Sequence, residues 1–76
     1  MDIENLVTMA NQIGAFYESM PDRKQALADI SSHIRKYWEP RMRRELMEHF
    51  DEQAVSSEFS PIVLESLHLN RSLLTP

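Results

Sequence analysis

Cysteine is missing from this chain of 76 residues, and that single absence removes disulfides, thiolate zinc sites and iron–sulfur clusters together. Glycine occurs once, at Gly14. A phosphate-cradling loop needs more than one glycine to let backbone amides approach the anion, so that chemistry is excluded too. Long apolar runs are equally scarce, because Asn11, Gln12 and Gly14 interrupt the first one well short of the roughly 18 residues a membrane-spanning helix requires. The opening Met1-Asp2-Ile3-Glu4-Asn5 lacks the basic region and apolar core of a secretory signal. The expectation is a soluble, cytoplasmic protein with no membrane association.

So short a chain makes one domain at most and leaves much of its apolar surface near solvent. A core of this size supplies roughly 3–5 kcal/mol, and small proteins usually add a disulfide, a metal or a partner. With cysteine absent, a partner chain is the natural stabiliser.

Basic residues are absent from residues 1–22, which carry Asp2, Glu4, Glu18 and Asp22. Residues 23–44 then hold seven of the eight Lys and Arg against Asp29 and Glu39, and residues 45–76 hold six acids against Arg71. The net charge of −4 therefore conceals a negative, positive, negative sequence of segments.

What is present is helical periodicity. Ile3, Leu6, Ala10, Ile13, Tyr17 and Met20 recur at steps of three and four, widened by Val7, Met9 and Phe16, with Asp2 placed to cap the helix. Gly14 inside that pattern costs up to about 1 kcal/mol relative to Ala, and reads equally as a close backbone approach or a tolerated defect. Met20-Pro21-Asp22 ends the segment, and Asp22 caps a second helix with Leu27, Ile30, Ile34 and Tyr37 on one face and Ala26 and Trp38 at its margins. Pro40 suits the first position of a third helix, whose buried stripe is Met42, Leu46, Met47 and Phe50. Residues 53–57 read as an exit into a loop, and Ser60-Pro61 starts a short fourth helix with Ile62, Val63, Leu64 and Leu67.

The proline positions and the lack of strand alternation predict an all-α fold, three main helices in a hairpin-like bundle with a short accessory helix. The predicted domain spans residues 1–69, leaving 70–76 as a flexible tail.

Catalytic signals are weak. Glu45, His49 and Glu52 share one helix face but more often form a solvated surface than a metal site. Glu65-Ser66-Leu67-His68 supplies one Glu-x-x-His element where di-iron bundles need two. Ser31, Ser32 and His33 are sequence neighbours, which do not face each other on a helix. Neither a catalytic nor a metal or cofactor site is expected in this chain.

The densest chemistry is Trp38-Glu39-Pro40-Arg41-Met42-Arg43-Arg44, with Arg35 and Lys36 just before it. Such a run reads as a solvated positive face, as a nucleic-acid contact, or as a protein interface. The sequence pI near 5.2 argues against nucleic acid, since such domains tend to be strongly basic. An interface accounts for more features: arginines fork onto a partner's carboxylates while aromatic and methionine side chains supply contact area. Tyr37, Trp38, Pro40, Arg41, Arg43 and Arg44 are the candidate partner-binding residues.

Four stretches taken in order resemble a known family: residues 5–14 (Asn5-Leu6-Val7-Thr8-Met9-Ala10-Asn11-Gln12-Ile13-Gly14), Met20-Pro21-Asp22-Arg23, residues 33–44 with their Trp-Glu-Pro-Arg-Met-Arg run, and Ser60-Pro61-Ile62-Val63. The chain is similar there to the delta subunit of soluble NAD-dependent, molybdenum-containing formate dehydrogenases. That resemblance implies a cytoplasmic complex in which a large subunit oxidises formate at molybdopterin guanine dinucleotide and other subunits pass electrons through iron–sulfur clusters and flavin to NAD. It implies a non-catalytic accessory role, binding the large subunit to support its assembly, cofactor maturation or stability. The alternatives are a free-standing homo-oligomer, with the isolated chain pairing as a homodimer, and a nucleic-acid-binding regulator.

Overall fold

The computed structural model describes residues 2–52 and 58–75. Helix α1 spans Ile3–Glu18, α2 Arg23–Tyr37, α3 Pro40–Glu52, α4 Pro61–Leu69 and α5 Arg71–Leu74. The fold is all-α, as the periodicity predicted. The loop expected over residues 53–57 lies outside the described residues.

Local chemistry sets the helix boundaries. Asp2 caps α1 by accepting from the Glu4 amide at 3.1 Å, and Asp22 caps α2 by accepting from the Gln25 amide at 3.2 Å. Helix α2 stops because Trp38 adopts an extended backbone (φ −88°, ψ 140°) ahead of Glu39 and Pro40.

Helix α2 is the hub and touches each of the other four helices. Its inner face buries Ala26, Leu27, Ile30, Ser31 and Ile34. Helix α1 contributes Leu6, Val7 and Ala10, and α3 contributes Leu46, Met47 and Phe50. From α4 come Ile62, Val63 and Leu67. The expected stripes of α3 and α4 are therefore the buried ones, with Met42 and Leu64 packed at the core's margin.

Four features depart from the sequence reading. Helix α4 is no accessory: it packs against α2 as closely as α1 does. The reason is Ser31 against Ser66, both fully buried, where small side chains let two helices approach. Phe16 lies 72% exposed rather than widening the α1 stripe. Tyr37 and Trp38 exchange roles, because the extended turn at residue 38 swings the indole inward (6% exposed) and leaves the last helical residue outside (66% exposed).

The fourth departure is the carboxyl end. Residues 70–75 do not trail away, since Asn70 starts α5 and its side-chain amide donates to the Leu27 and Ser66 carbonyls, both at 3.3 Å. Leu74 then buries itself in the core at 2% exposure. A four-residue helix is too short for its periodicity to show in sequence. Phe59, buried at 2% between α3 and α4, escaped notice for the same reason: it sits alone in a connection, its ring 6.1 Å from that of Phe50.

Candidate functional site

A close seam joins α4 to α1, while the basic residues lie at a separate bend, residues 38–40, where α2 passes into α3. A Cβ at Gly14 would lie 2.5 Å from Val63 Cγ2 and 3.2 Å from Ile62 Cγ2. The glycine is therefore a close-approach position, and what approaches is a pair of side chains. One helical turn away, the Asn11 side chain accepts from the Ser60 amide at 2.9 Å and donates to the Glu58 carbonyl at 2.8 Å. Asn11 thus fastens the start of α4 to α1. Ser60 stands at the expected N-cap, but its hydroxyl makes no capping bond and is buried without a partner.

Behind that seam a polar chain runs through the core. Ser66 Oγ donates to the Leu27 carbonyl at 2.6 Å and lies 2.7 Å from Ser31 Oγ. Ser31 is thereby committed to structure, and no nucleophile–base pair forms with His33. Three of the weak metal candidates, Glu45, His49 and Glu65, are likewise engaged: Arg41 bonds Glu45 at 3.3 Å, His49 Nε2 lies 2.6 Å from Glu58, and Arg23 bonds Glu65 at 2.8 Å. Among the described residues no group of three or more histidines and acids is placed to hold a metal.

The candidate partner-binding residues do not share one environment. Trp38 is core, 6% exposed. Tyr37 projects outside, its ring 4.8 Å from His33 and 5.5 Å from the Lys36 ammonium. Pro40, Arg41 and Arg44 are exposed, and Arg41 spends its charge partly on Glu45. Arg43 is half-buried, and its Nε is sealed from solvent without an acceptor. The bend therefore presents Tyr37, Arg41 and Arg44 outward, Arg43 in a recess, and Trp38 as the support beneath them.

One surface feature was not visible in the sequence. Phe16, Tyr17, His33 and Tyr37 form a ring-to-ring ladder across α1 and α2, with centroid separations of 5.0, 6.4 and 4.8 Å. Beside it lies an apolar hollow of about 430 Å³ lined by Met9, Ile13, Phe16, Tyr17 and Trp38 among others. The signal was available only as isolated aromatics, because the residues come from two helices and Trp38 joins them through a non-helical turn.

By fold and surface this is a small all-α domain organised on a central helix, with its basic chemistry gathered at one interhelical bend. The chain belongs to the delta subunit family of NAD-linked formate dehydrogenase: a family model described as "NADH-dependant formate dehydrogenase delta subunit FdsD" matches residues 5–67. Comparison with curated proteins and with solved structures gave no match. The matched span takes in the Gly14 seam and the entire bend. A subunit of such an enzyme works among other subunits. No helix among the described residues is long and apolar enough to cross a membrane.

Proposed function

We propose that this chain is a non-catalytic accessory subunit that binds the large molybdenum-bearing subunit of a cytoplasmic formate dehydrogenase and supports its assembly, cofactor maturation or stability. The observation that carries this reading is the family match over residues 5–67, which contains the basic bend entire. The bend's chemistry fits: Tyr37 and Arg44 are exposed, and arginine pairs with carboxylates through a planar, pre-organised fork. Molybdopterin guanine dinucleotide, flavin, NAD and the iron–sulfur clusters belong, on this reading, to the partner chains. For the clusters the donor chemistry agrees, since this chain has no thiolate to offer.

The test is to purify the large subunit from cells with and without this chain and measure its molybdenum and pterin content beside its thermal stability. Reduced cofactor content in the deficient preparation supports maturation. Equal content with lower stability leaves stabilisation alone. Equal content and stability, with formate turnover intact, overturns the accessory role.

A second reading, self-association of the isolated chain, draws on the exposed Phe16 beside the apolar hollow, because contiguous exposed apolar surface marks contact sites. Light scattering on the chain alone and with the large subunit separates the two. A dimer that persists when the large subunit is added favours the homo-oligomer.

A further inference from the structure

Where the end of α2, the start of α3 and α5 meet, a notch of about 100 Å³ is lined by Arg35, Pro40, Arg43, Leu74 and Thr75. Two guanidinium groups serve it, and neither has a countercharge among the described residues. The ion pairs among the described residues are Arg23–Glu65, Arg41–Glu45, His49–Glu58 and Arg71–Asp51, which leave Arg35 and Arg43 outside. Glu39, the acid adjoining Pro40, enters none of them. Arg35 donates one N–H to the Leu73 carbonyl at 2.8 Å, which fixes its stem against α5 and leaves its remaining donors. Arg43 keeps Nε buried with no acceptor among the described residues, and an acceptor entering the notch with a small shift of the guanidinium would relieve that cost.

The walls narrow the choice of anion. Pro40 and Leu74 are apolar, so an incoming group meets hydrocarbon on its flanks and guanidinium at its head. A carboxylate on an aliphatic stem matches both, whereas inorganic phosphate pairs with the guanidinium groups but brings no hydrocarbon to set against Pro40 and Leu74. Pro40 is the first residue of α3, which sets the positive end of that helix dipole beside the notch. We infer that the notch receives an aspartate or glutamate side chain of the partner subunit, an inference that rests on the accessory-subunit reading above. It assigns the docking charge to Arg35 and Arg43, and it requires α5, the segment that sequence alone read as a tail.

The experiment titrates the isotope-labelled full chain with sodium acetate and, separately, with inorganic phosphate, following the arginine Nε–Hε signals by NMR. Acetate is expected to shift the Arg43 and Arg35 signals saturably while Arg44 stays put, and Arg43→Gln is expected to weaken acetate binding at least about tenfold. Arg43→Lys keeps the charge and the helix but loses the fork, so it carries the measurement if the glutamine variant fails to fold. No saturable shift, or an equal shift at Arg44, overturns the notch. Phosphate binding tenfold tighter than acetate overturns the carboxylate assignment. Co-purification of the unaltered chain with the large subunit reads the accessory role separately. If it fails while acetate still saturates the notch, the accessory reading falls and the anion site stands. If both the unaltered chain and Arg43→Gln co-purify equally, the partner carboxylate is removed and the accessory reading stands.

Discussion

The seam that seats α4 and the bend that joins α2 to α3 each open a helix with a proline, Pro61 in one and Pro40 in the other, yet they treat polar atoms in opposite ways. At the seam Ser31 and Ser66 bond each other, Asn70 bonds the Leu27 and Ser66 carbonyls, and Asn11 bonds the Ser60 amide and the Glu58 carbonyl, with the Ser60 hydroxyl left over. At the bend Arg43 Nε is buried without an acceptor and Arg44 joins none of the ion pairs among the described residues. A closed hydrogen-bond network fixes helix register, while an open one is available to something outside the chain. The difference separates the part of the molecule that holds the fold from the part that is free to bind.

The contrast breaks most sharply at Gly14. Replacing it with Leu forces a side chain into the space held by Val63, whose β-branched stem has little rotamer freedom, and should cost about 3 kcal/mol in chemical denaturation. An unchanged unfolding midpoint would show that the seam yields, and the claim of close approach would go with it. Next comes Ser66→Ala, expected to cost about 1 kcal/mol by removing the hydroxyl that donates to the Leu27 carbonyl and meets Ser31 Oγ, while Ser31 keeps its bond to the Ser66 carbonyl at 3.2 Å. The double variant Ser31→Ala with Ser66→Ala should lose less than the sum of the singles, and strict additivity would mean the two hydroxyls are not coupled.

A smaller effect is expected from the exposed pair Arg71–Asp51, which ties α5 to α3. The hydrogen bond from Arg71 holds the Asp51 carboxyl below the ordinary carboxylate value and raises the arginine in turn. A carboxyl lowered by folding stabilises the folded state above its unfolded pKa, and that contribution is lost as pH falls through the folded one. Asp51→Asn should therefore flatten part of the stability difference between neutral and acid pH, measured by thermal melts; an unaltered pH profile would show that the pair contributes nothing to folding. The smallest effect on stability belongs to Arg44→Glu, within about 0.5 kcal/mol as for other exposed sites. On the proposed function that same change weakens co-purification with the large subunit, so a stable variant that still binds normally would remove Arg44 from the docking surface and leave the charge to Arg35 and Arg43.

Reading from sequence succeeded where a residue's neighbours along the chain decide its fate. Asp2 and Asp22 cap because each lies beside the amides it accepts from, and the stripes of α3 and α4 are buried because three-and-four spacing puts them on one face. It missed where one residue's backbone redirects the chain. Trp38 looked like a surface anchor because the basic run surrounds it, but its extended ψ turns the indole into the core and puts Tyr37 outside. Leu74 and Phe59 were overlooked because an isolated apolar residue in a short segment has no period to reveal it. Gly14 was legible as an anomaly, and only Val63 and Ile62 gave the reason.

The order of amino acids was enough to make this molecule helical, cysteine-free and basic at one turn, because propensity, caps, prolines and charge act over a few residues. Which arginine is recessed and which faces water, and whether the last residues close a pocket, followed from packing. Those outcomes depend on contacts between segments dozens of residues apart, such as Arg35 with Leu73 and Leu27 with Ser66, and local sequence carries no record of such meetings.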